Sequence, residues 1–252
     1  KGRSPFFMYL PLSAPHTPWL PTTAFKGKSD AGYYGDFVTQ VDWTVGQIIR
    51  TLEACDLTKE TLVIVTSDNG AYWNAADINR FGHRANAQWR GQKADIWEGG
   101  HRIPLIIRWP DVTPSGTTSD QLVCLTDIYA TLADILGAPV PRNAAVDSFS
   151  FLGALDATRS EQPLRTSIVH HSLDGMFAIR QGPWKLVLGR GSGGFSVPKR
   201  LQIEKGDAEG QLYQLDEDPK ESTNRYHEMP EHVNRLSGLL DKFQKAGYSR
   251  SA

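Results

Sequence analysis

Followed for where its apolar residues recur, the 252-residue chain alternates between short strand-like runs and helical stripes. Phe6 to Leu10 is a wholly apolar run closed by prolines, the pattern of a strand buried on both faces of a parallel sheet. From Tyr34 to Ala54 the residues Phe37, Val38, Val41, Val45, Ile48, Ile49 and Leu52 recur at helical spacing, with Asp42, Gln47, Arg50 and Glu53 between them. That spacing predicts an amphipathic helix. Leu62 to Thr66 is rich in β-branched residues and predicts a second buried strand; Leu105 to Trp109, stopped by Pro110, predicts a third. A further helix is expected after Thr126 as N-cap, with Ile128, Leu132, Ile135 and Leu136 on one face and Gly137 at its end. Strands and helices that alternate in this way predict an α/β fold, a mostly parallel sheet flanked by helices.

Beyond Pro139 the texture changes. A loop-like stretch runs to about Pro163, and short strand-like segments follow at Met176 to Arg180, Trp184 to Leu188 and Leu212 to Leu215. Gly182-Pro183 marks a turn between the first two, so a small antiparallel sheet is expected, with Gly189 to Gly194 as a surface loop. A last helix is expected over Pro230 to Lys245, with Val233, Leu236, Leu240 and Phe243 as its apolar stripe. The expected division is therefore an α/β domain over 1–165 and a small α+β subdomain over 166–252.

Lys plus Arg number 27 against 28 Asp plus Glu, a formal charge of -1, so no bulk field favours nucleic acid or an anionic membrane. An anionic ligand has to be held by local groups. No apolar run approaches the roughly 18 residues that a membrane span requires. Cys55 and Cys124 have neither metal spacing nor the density of a disulfide framework, and a single bridge between them stays open. The basic opening Lys1-Gly2-Arg3 before Phe6 to Leu10 imitates a signal peptide, but Pro5, Pro11 and Pro15 interrupt it, and a strand explains it as well. Since position 1 is not Met, the chain is expected to begin inside a longer product.

Three segments carry chemistry. Ser67-Asp68-Asn69-Gly70 follows the second predicted strand, placing a carboxylate and an amide oxygen at a strand's carboxyl end, where α/β sheets bind ligands. Such hard oxygens suit Ca²⁺ or Mg²⁺, though two cannot complete a shell of about six to eight; an Asx-turn is the plainer alternative. His16, in Ala14-Pro15-His16-Thr17-Pro18, is expected on the same rim, where an imidazole can donate to an anion or protonate a leaving group. The densest constellation is Arg90-Gly91-Gln92-Lys93 through Glu98-Gly99-Gly100-His101-Arg102-Ile103-Pro104. Lys93 can act there as a point charge for an oxyanion, and Glu98 can pair with Arg102 to fix the loop.

Together, in this order, these motifs resemble the formylglycine-dependent sulfatases of the alkaline phosphatase superfamily. Leu212-Tyr213-Gln214-Leu215, Asp218-Pro219 and Glu221 to Asn224 add a weaker likeness to that family's C-terminal subdomain. The resemblance implies an alkaline-phosphatase-like fold and a divalent cation, Ca²⁺ or else Mg²⁺, with Asp68 and Asn69 among its ligands. It implies that His16 and Lys93 contact the sulfate and its bridging oxygen. His101 stands where the family commonly has an apolar residue. No C/S-x-P-x-R motif, the source of the formylglycine nucleophile, occurs in the chain, and the paired N-terminal aspartates of the metal site are missing with it. The chain thus looks like the C-terminal half of a sulfatase, with the N-terminal half of the same protein as its partner.

The expected activity is hydrolysis of a sulfate ester, on a sulfated sugar if the rim is polar and cationic, or on an aryl sulfate if it is an aromatic-lined slot. Candidate rim residues are His83 and Arg84, between the metal motif and Lys93, and His170-His171 before the C-terminal sheet. Phosphodiester or phosphonate hydrolysis in the same superfamily is the near alternative, and a non-catalytic glycan-binding remnant the distant one. Members of the family are often exported or lysosomal.

Overall fold

A computed structural model of the protein describes residues 4–155 and 164–250. The basic opening Lys1 to Arg3 and the expected end of the loop near Pro163 lie outside the described residues. The chain forms two compact units, Lys1–Thr61 with Ala75–His83, and Leu62–Asn74 with Arg84–Ala252.

In the first unit the predicted amphipathic segment is helix α1 (Gly32–Ala54), and a shorter helix, α2 (Ala75–Phe81), belongs to the same unit. Gly32 has φ +62, and a Cβ there would stand 2.7 Å from the Phe81 ring, so only glycine lets α1 begin against α2. The buried Asp36 carboxylate accepts the backbone N–H groups of Gly27, Lys28 and Ser29 at 2.8, 2.7 and 2.9 Å, pairing three donors that the preceding loop would otherwise leave open. Of the apolar stripe only Leu52 is buried; Phe37, Val41, Val45, Ile48 and Ile49 are half-buried and Val38 is exposed. The expected strand Phe6 to Leu10 does not form, and Phe7 and Tyr9 are each 78% exposed. An extended apolar run becomes a strand only by pairing, and no neighbour for it exists among the described residues.

The second unit opens with β1 (Val63–Thr66) and continues through the one-turn helix α3 (Glu98–His101) to β2 (Leu105–Arg108). These two strands pair antiparallel, Val63 opposite Arg108 and Thr66 opposite Leu105, a direction that a mostly parallel sheet admits. The reason lies in the connection. Thr66 Oγ1 donates to Pro104 O at 2.8 Å and Gly70 N–H to Gly100 O at 3.0 Å, so the chain re-enters at the end of the strand it left. A parallel partner needs a crossover to the opposite end.

Helix α4 (Asp127–Ile135) follows as predicted and closes on Gly137, φ +64, whose N–H reaches Asp134 O while the next N–H, of Ala138, reaches Ala133 O. Thr126 does not cap it through its side chain. Ser148 serves the first turn instead, its Oγ accepting Ala130 N–H at 2.9 Å, while the Asp127 carboxylate accepts Cys124 N–H and Phe149 N–H and pairs with Arg165 at 3.0 Å. Cys124 and Cys55 are free thiols.

After the single-turn helix α5 (Leu152–Leu155) comes a four-stranded antiparallel sheet of β3 (Ser167–His171), β4 (Phe177–Gln181), β5 (Trp184–Val187) and β6 (Gln211–Gln214), in that spatial order. β3 was not expected from the sequence. The alternation of a strand gives this sheet two buried faces. Ile179, Leu186 and Leu212 pack with Val233, Leu236 and Leu240 of helix α6 (Pro230–Ala246). Ala178, Val187 and Tyr213 face the other way and meet Ile96 and Trp97, from the segment that carries Lys93. The small sheet is thus the floor on which the Lys93 segment rests.

Candidate active site

Two loops of the second unit hold the candidate groups. The loop after β1 carries Asp68, exposed, and Asn69, half-buried. The segment before α3 carries Lys93, half-buried. They are stitched together by their backbones: Lys93 N–H donates to Ala71 O at 3.0 Å. Asn86 completes the join, its Oδ1 accepting Ala71 N–H at 2.8 Å while its Nδ2 donates back to Ala71 O at 3.0 Å. Among the described residues the Asp68 carboxylate and the Lys93 ammonium make no hydrogen bond or ion pair.

Glycine sets how closely these loops approach. A Cβ on Gly70 would lie 1.8 Å from Gly99 O, one on Gly99 2.4 Å from Gly91 O, and one on Gly100 2.2 Å from Asp95 O. Three backbone segments therefore run in contact, a geometry that side chains would forbid. The glycine that matters most is the last of the Ser67-Asp68-Asn69-Gly70 motif, because it seats the oxygen-bearing loop directly on Gly99.

Beneath Lys93 the segment is held by buried charge. Asp95, fully buried, accepts from Gln92 N–H, Phe195 N–H, Ser196 N–H and the Ser196 hydroxyl, at 2.5 to 3.0 Å. Glu98 pairs with Arg102 at 3.1 Å, as the sequence predicts, and also with Lys185 at 3.1 Å and Arg180 at 3.6 Å. Lys185, 0% exposed, bridges Glu98 to Glu221 at 2.9 Å, and Glu221 in turn accepts Glu98 N–H at 2.6 Å. The backbone carbonyl of Glu221 accepts from Arg90, whose guanidinium lies over the Trp97 ring at 3.7 Å. Both ends of the Lys93 segment, Arg90 and Glu98, are thus fastened to one residue more than 120 positions away.

The titration behaviour follows from this burial. Desolvation alone would raise the Glu98 carboxyl, but Lys185, Arg180 and Arg102 overcome it and hold it at about 2. Burial pushes Glu221 up, opposed by Lys185. Burial and the Lys185 charge bring His101 down to about 4, and the same two causes bring His170 well below the usual imidazole range. Burial pushes the Tyr213 hydroxyl up to about 12, so it stays protonated and donates to Gln211 Oε1 at 2.8 Å.

Of the rim candidates, His171 and Arg84 are exposed, the former hydrogen-bonded through Nδ1 to Ser172 O at 2.8 Å. His170 turns inward: its ring lies 4.2 Å from that of His101, and the Nε2 atoms of both rings are buried without a hydrogen-bond partner among the described residues. His101, the departure from the resembled pattern, thus has its own neighbour. His16 and His83 belong to the other compact unit and are both exposed; His16 Nδ1 lies 2.6 Å from Thr17 O. The structure therefore joins Asp68, Asn69 and Lys93 on adjoining loops, with His170 and His171 on β3 of the same unit.

Sequence reasoning overlooked Asn86, Asp95, Lys185 and Glu221. Asn86 and Lys185 give no signal, standing singly in unremarkable contexts. Asp95 and Glu221 do fall inside the motifs already singled out. The Gly189 to Gly194 stretch, expected on the surface, has residues 191–194 buried against the Lys93 segment, with Ile96 N–H donating to Ser192 O at 2.8 Å. A Cβ on Gly194 would lie 2.4 Å from Ala94, which explains its composition.

Comparison with known proteins identifies the family. Residues 1–138 match the sulfatase family. The chain is 38% identical over 244 residues to an N-acetylgalactosamine-6-O-sulfatase of Bacteroides thetaiotaomicron, covering 94% of this chain and 47% of that protein. It is 34% identical over 181 residues to human steryl-sulfatase, covering 71% and 31%. A solved structure from work on the metabolism of multiple glycosaminoglycans by B. thetaiotaomicron superposes with a TM-score of 0.83 at 34% identity, covering 96% of this chain and 51% of that one. The chain thus spans about half the length, or less, of the proteins it matches. With the motif order, the α/β architecture and the family match in agreement, the chain belongs to the sulfatase family.

Proposed function

We propose that the full-length protein hydrolyses sulfate esters of a carbohydrate and that this chain supplies the charge-neutralising and leaving-group side of its site. The observation that carries the reading is the stitched pair of loops: a carboxylate and an amide at Asp68 and Asn69, and an ammonium at Lys93, joined at Ala71. Sulfated sugar is the substrate class because one relative of high coverage is named for N-acetylgalactosamine 6-sulfate.

In this reading Lys93 binds a non-bridging sulfate oxygen, and the buried pairs of Asp95 and Glu98 keep its segment from yielding when charge shifts onto the ester. Asp68 and Asn69 fit a hard divalent cation, Ca²⁺ or Mg²⁺, as two of its oxygen donors; the exposed, unpaired carboxylate is the kind of ligand such an ion takes. Among the described residues no group of three or more His, Cys, Asp and Glu side chains could hold a metal, so its other ligands would come from elsewhere. When bound, the cation would offset the charge on the sulfate oxygens. His16 holds the proton for the departing sugar oxygen. His83, Arg84 and His171 are exposed groups suited to contacting the sugar, and His170, packed against His101, neighbours His171 on β3. The nucleophile, a formylglycine by family likeness, lies outside these residues, and residues 1–165 are read as the latter part of the catalytic domain.

Sulfate release by the full-length, formylglycine-matured protein tests this. Lys93→Ala should lower kcat/KM by about 10²–10³ and His16→Ala by about 10²–10⁴. Wild-type rates in both variants would end the assignment.

A further inference from the structure

Two exposed aromatic rings stand on segments that are hydrogen-bonded to the Lys93 segment. Tyr72 directly follows Ala71, the residue whose carbonyl accepts Lys93 N–H, and is 39% exposed. Its neighbour Trp73 is 2% exposed, so one ring anchors this loop while the next stands out. Phe195, 47% exposed, comes from a separate segment: its N–H is held by Asp95 at 2.8 Å, and Gly194 before it lies against Ala94. The two rings meet edge to face with centroids 5.7 Å apart and an interplanar angle of 87°. Neither aromatic belongs to a hydrophobic core cluster.

Such an arrangement is costly if it does nothing. A buried carboxylate two residues from Lys93, with four donors, fixes a glycine-rich loop whose next ring is left half in water. Exposed aromatics held rigidly at the edge of a polar site present an apolar face without an ordering cost on binding. Resting on the sulfatase reading above, we propose that Tyr72 and Phe195 form a wall against which the C–H face of the substrate's sugar ring lies while its sulfate is held at Lys93. The wall recognises the ring and not the anion, and it makes these two residues determinants of substrate class.

The test uses the full-length matured protein with N-acetylgalactosamine 6-sulfate as substrate, N-acetylgalactosamine as a sugar probe and inorganic sulfate as an anion probe. Tyr72→Ala with Phe195→Ala should raise KM for the sugar sulfate about tenfold with kcat within about twofold, and should weaken calorimetric binding of the free sugar by a similar factor. The inhibition constant of inorganic sulfate should stay within about twofold, and Phe195→Trp should restore most of the lost affinity. Unchanged KM and unchanged sugar binding in the double variant overturn the wall while leaving the sulfatase reading intact. No sulfate release by the wild type, with sugar binding that the double variant still loses, overturns the sulfatase reading and supports the wall. A parallel rise in the sulfate inhibition constant would show a collapsed site and so also count against the wall.

Discussion

Two segments of this chain carry large apolar side chains and end up in opposite circumstances, the wholly apolar one exposed and the charge-rich one buried. Ile96 and Trp97, beside Lys93, are 0% and 2% exposed, whereas Phe7 and Tyr9 are each 78% exposed. Apolar character alone therefore does not bury a segment. What separates them is partnership: the Lys93 segment has a sheet face under it and charged residues fastened at both ends. Phe6 to Leu10 has no pairing strand among the described residues. Positional accuracy near Lys93 is thus built from within this chain.

The sharpest way to break the contrast is to remove the cation under the Lys93 segment. Lys185→Met keeps the length and loses the charge, leaving Glu98 and Glu221 facing each other in a dry interior. Urea denaturation should show a loss of about 3–5 kcal/mol. A loss under about 1 kcal/mol would mean that the buried pairs do not hold the segment.

A second test uses acid. His101 titrates near 4 in the fold against 6.5 when free, so the folded state takes up its proton less readily than the unfolded chain. Its contribution to stability is therefore complete above pH 6.5 and is lost as pH falls through 4, at about 1.4 kcal/mol per unit of displacement. Glu98, held at about 2, extends the loss from pH 4.5 downward. Glu221, pushed up by burial, opposes both by favouring its protonated form. Denaturation midpoints should fall between pH 6.5 and 4, with His170, also lowered by burial, adding to the fall, and His101→Leu, which removes one of the two imidazoles, should reduce that slope without abolishing it. An unaltered slope in the variant would contradict this assignment.

The smallest expected effect lies at the other pole. Met8→Ser, at a side chain 66% exposed, should change the stability of this chain by less than about 0.5 kcal/mol. Hydrogen exchange should show residues 6–10 exchanging quickly while Ile96, Gly99 and Arg102, whose N–H groups donate to Ser192, Arg90 and Glu98, stay protected. A protected 6–10 stretch would remove the contrast.

Much of this was legible in the sequence, and the pattern of misses has physical causes. Helical periodicity placed α1, α4 and α6, because the stripe of a helix depends on the helix alone. The pairing direction of β1 and β2 was not legible, because an apolar run looks the same in either sense and only the return through Gly70 and Gly100 decides it. β3 went unseen because Ser167, His170 and His171 dilute its alternation. The Asp68 and Lys93 motifs were legible through their residue types and glycines. Their supports were not, since Lys185 and Glu221 become informative only when folding brings them to Glu98.

The central claim is that the Asp68 loop and the Lys93 segment hold one tetrahedral anion. The inhibition constant of inorganic sulfate on the full-length matured protein measures this most directly, compared among wild type, Asp68→Asn and Lys93→Ala. Lys93→Ala should weaken sulfate by about tenfold or more by removing a charged contact to the anion, and Asp68→Asn by a similar factor through the cation that this carboxylate helps to hold. Sulfate that inhibits both variants as well as the wild type would contradict the account.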